Sequence, residues 1–389
     1  MLRYLKLLSL VVVFALSACG GAGGVKRSNV KPVALTPELS AKIKTLDYVK
    51  YAEGFSLKEF EGVTLVDITD PASANSMVYR YALVPRNDQS QIIIPEGYLP
   101  IKVPLSRVIC MTTLQLSPFI KLDLSDRIVG VTSTRFLQNE KLNARLKDGS
   151  LSRIGIEGEF DTEVILSIAP ELIFISPYKR GGYDTVKSLD IPMLAYLGYK
   201  ELSPLGQAEW IKLVGLLLGE QERAESAFSQ IESRYNRLAE LVRDIEDRPT
   251  ILSGELHSGN WYVVGGRSAL AQQFRDAGAE YFMKNDNESG GFYVDYETVY
   301  SQGHDADFWR IVNSFEGEYT YAHLLAADSR YRDFKPFESR SVIYCNLRNT
   351  PFYENTPMEP EVILADLIKI FHPDLLPDHT PRYYYKLKN

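Results

Sequence analysis

Residues 220–247, EQERAESAFSQIESRYNRLAELVRDIED, run without a glycine or a proline. Ala224, Phe228, Ile231, Tyr235, Leu238, Val242 and Ile245 recur at steps of three and four, which puts them on one face of a helix. The spacing predicts a single helix over 220–246, roughly 40 Å long at 1.5 Å per residue, with Pro249 as its stop. Coiled coil is the rival reading. The stripe is too short for a sustained heptad register, however, and strand–helix alternation surrounds it on both sides. Just before it, PLGQAEWIKLVGLLLG is another helical run, ended by Gly219.

The alternation on either side decides the class. From residue 107, RVIC and RIVGVT read as strands around the helical LSPFIKLDL. A helix over 161–168 leads to the strand LIFIS, and a helix near 182–189 leads to PMLAY. After Pro249 the rhythm restarts with TILSGE, WYVVGG, helices over 268–277 and 295–302, DFWRIV, SVIYCN and a helix over 360–371. Such alternation implies largely parallel sheets covered on both faces. The expected fold is α/β: two Rossmann-like α/β lobes joined by one long rigid helix. The N-terminal lobe takes 47–205, the connecting helices 206–247 and the C-terminal lobe 248–389. Residues 47–103 are an irregular extension with short strand-like pieces, VTLVDI, YRYALV and QIIIP.

The chain opens MLRYLKLLSLVVVFALSAC, a basic start and an apolar run that is too short to span a membrane. Residues 1–18 read as a signal peptide, and LSAC resembles a lipobox with Cys19 as the lipidated residue. GGAGG then opens a flexible tether over 19–46. An ordinary signal peptide with a chance cysteine is the plainer alternative. Loss of 1–18 removes Arg3 and Lys6 and makes the formal net charge of −7 more negative still, which argues against a nucleic-acid partner. Cys110 and Cys345 sit in apolar strand-like runs and read as small buried hydrophobes, with a disulfide between them the less favoured reading.

Several chemistries have no sequence support. The five histidines are scattered without zinc spacing, and neither a phosphate loop nor a nucleophile elbow is present. VVGGRS reads as a tight turn. Nothing nominates a catalytic set or a metal centre.

One skeleton occurs twice. DTEVILSIAPELIF at 161–174 and DYETVYSQGHDADFW at 295–309 both place an aspartate, then a glutamate two residues on, at the start of a helix leading to a strand. Asp161 and Asp295 are good N-caps, and Glu163 and Glu297 suit the positive end of a helix dipole.

In order and spacing, RVICMTTLQLSPFIKLDLSDRIVGVTST, DTEVILSIAPELIFIS, SPLGQAEWIKLVGLLLGEQERAESAF, GNWYVVGGRSALAQQFRDAGAEY, YETVYSQGHDADFW and PEVILADLIKIFHPDLL resemble one family. It is the class III, helical-backbone, substrate-binding proteins of ABC importers, whose cargo is an iron–siderophore complex, haem or cobalamin. EWIKLVGLLLGEQERAESAF and IFHPDLL look most like versions in Bacteroidetes-type lipoproteins. The resemblance implies a monomeric carrier, lipid-anchored in the periplasm, with no cofactor and no catalytic step. Its partners would be an ABC permease dimer and a small-molecule metal chelate. It also implies that Glu163 and Glu297, one per lobe, dock on permease arginines.

In open α/β lobes ligands meet the loops beyond the carboxyl ends of the strands. Those loops hold Thr112, Thr113, Arg135, Phe136, Tyr178, Lys179, Arg180 and Tyr199 in the first lobe. The second offers His257, Trp261, Tyr262 and Arg348. Aromatics with arginines suit a flat or chelated, partly anionic ligand. Trp261, Arg180 and Arg348 lead this set, and an ordinary loop residue is the alternative for each. An iron chelate is the first choice and cobalamin the second. An extracytoplasmic enzyme acting on a tetrapyrrole or glycan, or a structural lipoprotein of this fold, are readings of other classes.

Overall fold

The first lobe is built on five parallel strands, in spatial order Ser152–Arg153, Ile128–Val131, Val108–Cys110, Leu172–Ile175 and Met193–Ala195. The three central strands are buried on both faces, which is why they read as unbroken apolar runs. The second lobe repeats the plan with Glu280–Tyr281, Thr250–Ser253, Phe308–Asn313 and Val342–Asn346, all parallel. An antiparallel edge strand, Tyr385–Lys386, closes it. These are coordinates of a computed structural model that describes residues 29–388, apart from 74–76, 133, 135–136 and 179–181. The expected signal peptide over 1–18, Cys19, Arg135, Phe136, Lys179 and Arg180 therefore lie outside the described residues.

The extension is more regular than its sequence suggests. Lys44–Thr45, Phe55–Phe60, Val63–Ile68, Tyr79–Pro85 and Leu99–Val103 form one five-stranded sheet, antiparallel except for its last pair. One face, with Phe60, Leu65, Ala82 and Val84, makes a small core under Ile92 and Ile94. The other, with Phe55, Leu57, Val66 and Leu83, joins the main core. Burial on both faces blurs the period-two pattern that would have marked these strands.

Two acids fix this sheet to the connector. Glu209, wholly buried in the apolar helix Pro204–Leu218, accepts from the backbone amides of Lys50 (2.9 Å), Tyr51 (2.6 Å) and Ala52 (2.9 Å). Its other partner is the Lys212 ammonium at 2.7 Å. Glu201, just before the same helix, takes the next two amides, Glu53 at 2.9 Å and Gly54 at 2.8 Å, together with the Trp210 indole at 2.7 Å. Consecutive amides of residues 50–54, which belong to no strand, thus find acceptors on the connector.

The connector is a packed pair of helices, not one. Pro204–Leu218 is buried nearly all round and lies against Gln221–Leu241. The second helix ends at Leu241, short of 246, so it is about 31 Å long. No glycine or proline stops it there. The Arg248 guanidinium donates to the carbonyls of Val242, Ile245 and Arg275, so a turn satisfies what another helical turn would have. Cys110 and Cys345 are buried and free, one in each lobe's sheet.

WYVVGG does not extend the second lobe's main sheet. Asn260–Val264 pairs with Leu256–His257 and Gly291–Val294 in a separate antiparallel sheet above the strand ends. Gly265 follows it as a close-approach position, because a Cβ there would lie 1.8 Å from the Glu288 carbonyl.

Candidate functional site

The carboxyl ends of the two parallel sheets set the site. In the first lobe Val108–Cys110 runs into the helix Thr113–Lys121, with Thr113 half-buried as its first residue. Gln115 holds that turn by accepting from the amides of Met111 (2.7 Å) and Thr112 (3.1 Å). Beyond Leu172–Ile175, Tyr178 is 48% exposed, and Lys200 places its ammonium 4.9 Å from the centre of that ring. Lys200 also pairs with the buried Asp70 of the extension at 3.4 Å. Tyr199 is half-buried, and its hydroxyl has no hydrogen-bond partner among the described residues. Burial, with Asp70 nearby, pushes that phenol up to about 12. Tyr178, Tyr199, Lys200 and Asp70 thus form one patch, to which the extension contributes.

In the second lobe the expected residues separate. Trp261 is fully buried, its indole donating to the Ser253 carbonyl (3.2 Å) while its ring packs on Trp309, Tyr331 and Phe334. It is a core residue, and with no exposed surface it does not make the contact with ligand expected of it. Neighbours along a strand point to opposite faces, so Tyr262 points outward, 41% exposed, against Tyr293 at 5.3 Å. His257 lies beside it, 6.5 Å from the Tyr262 ring. Arg348 is exposed, 3.5 Å from Glu316.

Arg348 also marks where the lobes meet. Its carbonyl accepts from the Gln138 side chain at 2.8 Å, and the Gln138 amide donates to the buried Glu354 at 3.0 Å. Ser117 of the first lobe donates to the Asn355 carbonyl at 3.3 Å. The first lobe thus reaches Arg348 through Gln138.

Two polar residues escaped the sequence reading. Arg310, inside Phe308–Asn313, donates to Tyr384 (2.8 Å) and Ser253 (3.1 Å) and has no carboxylate partner among the described residues. It faces a cavity of about 170 Å3 lined by Gln207 and Pro204 of the connector and by Phe352 and Thr356. Tyr353 is within electrostatic reach of both Arg310 and Tyr262. The signal was a lone arginine in an apolar strand. Glu255, just past Thr250–Ser253, accepts from Asn313 at 3.1 Å, and burial raises its carboxyl. Among the described residues no three His, Cys, Asp or Glu side chains gather as metal ligands.

The raised acids have a consequence for pH. Burial lifts Glu201, Glu255, Glu354 and Asp276 above ordinary carboxyl values. Each takes up a proton more readily when folded, so its contribution is complete below the unfolded value and is lost as pH rises through the folded one. The melting temperature should therefore rise on going from pH 7.5 to about pH 5. It should fall again below about pH 4, where Asp295, Asp307 and Asp328, lowered by their hydrogen bonds, become protonated. Calorimetry across that range checks it; a monotonic fall from pH 7.5 would contradict it.

Glu163 and Glu297 occupy matching places. Each sits in the exposed first turn of a helix, Thr162–Ser167 or Tyr296–Gly303. Asp161 caps the first by accepting from the Val164 amide (3.0 Å), and Asp295 caps the second through Thr298 (2.7 Å). In both lobes that helix leads to the strand that flanks the lobe's first strand, opposite the next strand in sequence. Neither glutamate has an ion-pair partner among the described residues.

The comparisons agree with this architecture. Over its full length the chain is 24% identical to an uncharacterized lipoprotein of Methanocaldococcus jannaschii, covering 100% of both. A second lipoprotein of that organism is 21% identical over 98% of this chain and 95% of its own. A periplasmic haem-binding protein from Pseudomonas aeruginosa superposes with a TM-score of 0.57 at 19% identity, covering 73% of this chain and 98% of that one. A periplasmic molybdate-binding protein from Haemophilus influenzae gives 0.55 at 14%, covering 72% and 89%. These structural likenesses speak for the fold alone. The model of the periplasmic binding protein family matches residues 108–344, from the first strand of one lobe into Val342–Asn346 of the other. Spanning both sheets and the connector, more than half of its length, the chain belongs to the periplasmic binding protein family.

Proposed function

We propose that this protein is the substrate-binding lipoprotein of an ABC importer, capturing an anionic iron complex, a ferric siderophore or haem, between its lobes. Arg310 carries this reading. A partly buried guanidinium surrounded by phenols, with no carboxylate partner among the described residues, is matched by an acidic arm of the ligand. Tyr178 and Tyr262, one on each lobe, offer exposed rings to a flat body. Thr113, Tyr199 and Arg348, with Arg135 and Arg180 from loops outside the described residues, complete the proposed contacts. A protein of the same fold binds haem, so the fold can accommodate a cargo of this class. The lipoprotein relatives and the lipobox at Cys19 support a periplasmic, membrane-anchored location. Glu163 and Glu297 are the proposed contacts with the permease dimer. The work is binding and release, so no residue is assigned a catalytic role.

A small free oxyanion is the second reading, because the cavity beside Arg310 is large enough for such an ion and a similar protein binds molybdate. Cobalamin, the other cargo of the resembled group, presents fewer acidic arms to Arg310.

Spectra of the purified protein with haem, a ferric siderophore or cobalamin, and calorimetry with molybdate, separate these. A stoichiometric iron complex is expected, and Arg310→Met should weaken it roughly 10- to 100-fold, the value of hydrogen bonds to a charged group. Binding of cobalamin or molybdate without any iron complex would overturn the proposal. Turnover of a bound tetrapyrrole or glycan would point to an enzyme instead.

A further inference from the structure

A second cavity, of about 300 Å3, lies where all three parts of the molecule meet. Lys121 comes from the end of the first lobe's helix Thr113–Lys121, and Arg223, Ser226, Gln230 and Arg234 from the connector helix. Glu361 comes from the first turn of the second lobe's helix Pro360–Phe371. A neighbouring cavity of about 350 Å3 shares Ser226, Gln230 and Arg234 and adds Arg237, which extends the groove along the connector.

We propose that this groove binds phosphate or a phosphate monoester, bridging the two lobes through the connector. Two independent observations point there. Arg223, Arg234 and Arg237 have no ion-pair partner among the described residues, and Lys121 reaches Glu361 only at 4.0 Å. The nearby acids are engaged elsewhere, Asp123 with Lys141 and Glu359 with Arg382. The lining is therefore cationic and selects an anion. Glu361, meanwhile, is 4% exposed, and its Oε2 has no hydrogen-bond partner among the described residues. A buried carboxyl oxygen needs a donor. An anion that also brings a hydroxyl satisfies both demands: inorganic phosphate keeps at least one hydroxyl throughout the neutral range, and a monoester, with a second pKa near 6, keeps its hydroxyl in part of the molecules at slightly acid pH. Sulfate brings no proton. Burial pushes the Glu361 carboxyl up, which favours a proton shared between it and a ligand oxygen.

Calorimetry of the full chain in detergent, without cleft ligand, at pH 6.5 tests this with inorganic phosphate, glycerol phosphate and sulfate. Phosphate should bind at least tenfold more tightly than sulfate. Arg234→Met, at an exposed position, should weaken phosphate at least tenfold while leaving melting and cleft binding unchanged. Glu361→Gln, which offers an amide donor, should bring the phosphate-to-sulfate ratio close to one. Competition by phosphatidic acid in the same detergent would identify a lipid headgroup as the source, and its failure a soluble phosphate; either keeps the site. No phosphate binding, equal sulfate binding by the unaltered chain, or indifference to Arg234→Met overturns the assignment. Because cleft ligand is absent, these outcomes are independent of the iron-complex reading.

Discussion

Glu209→Ala should lower the free energy of unfolding by about 3–5 kcal/mol, the range for breaking a buried, hydrogen-bonded charge. The substitution strips acceptors from three amides of residues 50–52 and leaves Lys212, whose side chain is 12% exposed, without its carboxylate partner and with only the Tyr48 carbonyl to accept from it. Glu209→Gln should cost less, since it keeps the volume and one acceptor oxygen while its amide group faces donors. The loss should be uneven across the molecule. Hydrogen exchange at residues 50–54 should accelerate first, because their amides are held by Glu209 and Glu201 and not by a sheet ladder. Denaturant unfolding monitored alongside exchange checks both points. A change below about 1 kcal/mol would mean that water satisfies these amides and that the extension is held by its apolar contacts.

The same group shows what the sequence hid. The parallel strands were legible because burial on both faces produces apolar runs such as LIFIS and SVIYCN. The helix at 360–371 was legible because Pro360 starts it and the chain then stays apolar. The extension was harder, since its sheet is buried on both faces without an intervening helical rhythm. A lone glutamate inside PLGQAEWIKLVGLLLG was in plain view, yet the amides it holds lie 157 to 159 residues away. Asp366 repeats the pattern in the last long helix, accepting from the amides of Arg382 and Tyr383 to pin the C-terminal tail. An acid alone in an apolar helix marks a peripheral segment to be held, but spacing does not say which.

The site was partly legible for similar reasons. Loop position after a strand identifies Tyr178, Tyr199, Tyr262 and Arg348 as residues near the strand ends. It does not give the direction of a side chain, so it could not separate Tyr262 from Trp261, adjacent on one strand and facing opposite ways. Arg310 lies within a strand, where a loop-based search does not look. Asp70 reaches the first lobe's patch from the extension, a contact that exists only after folding.

Replacing both Glu163 and Glu297 with arginine should abolish ligand uptake in cells while leaving ligand affinity and melting nearly unchanged. The two carboxylates are exposed, and their helices keep the aspartate caps that satisfy the first-turn amides. Stability therefore has little to lose. Recognition has more at stake, because a two-fold permease meeting a two-lobed carrier would read one anion from each lobe, and reversed charges at both points oppose steering and register together. Each single reversal should leave intermediate uptake that falls further as salt rises, since one remaining exposed pair is screened within about 10 Å at 0.1 M. Transport of a radiolabelled iron complex, measured beside binding and melting of the same variants, separates docking from folding. If the double reversal transports normally, the glutamates are acids favoured by a helix dipole and nothing more, and the permease must read another surface.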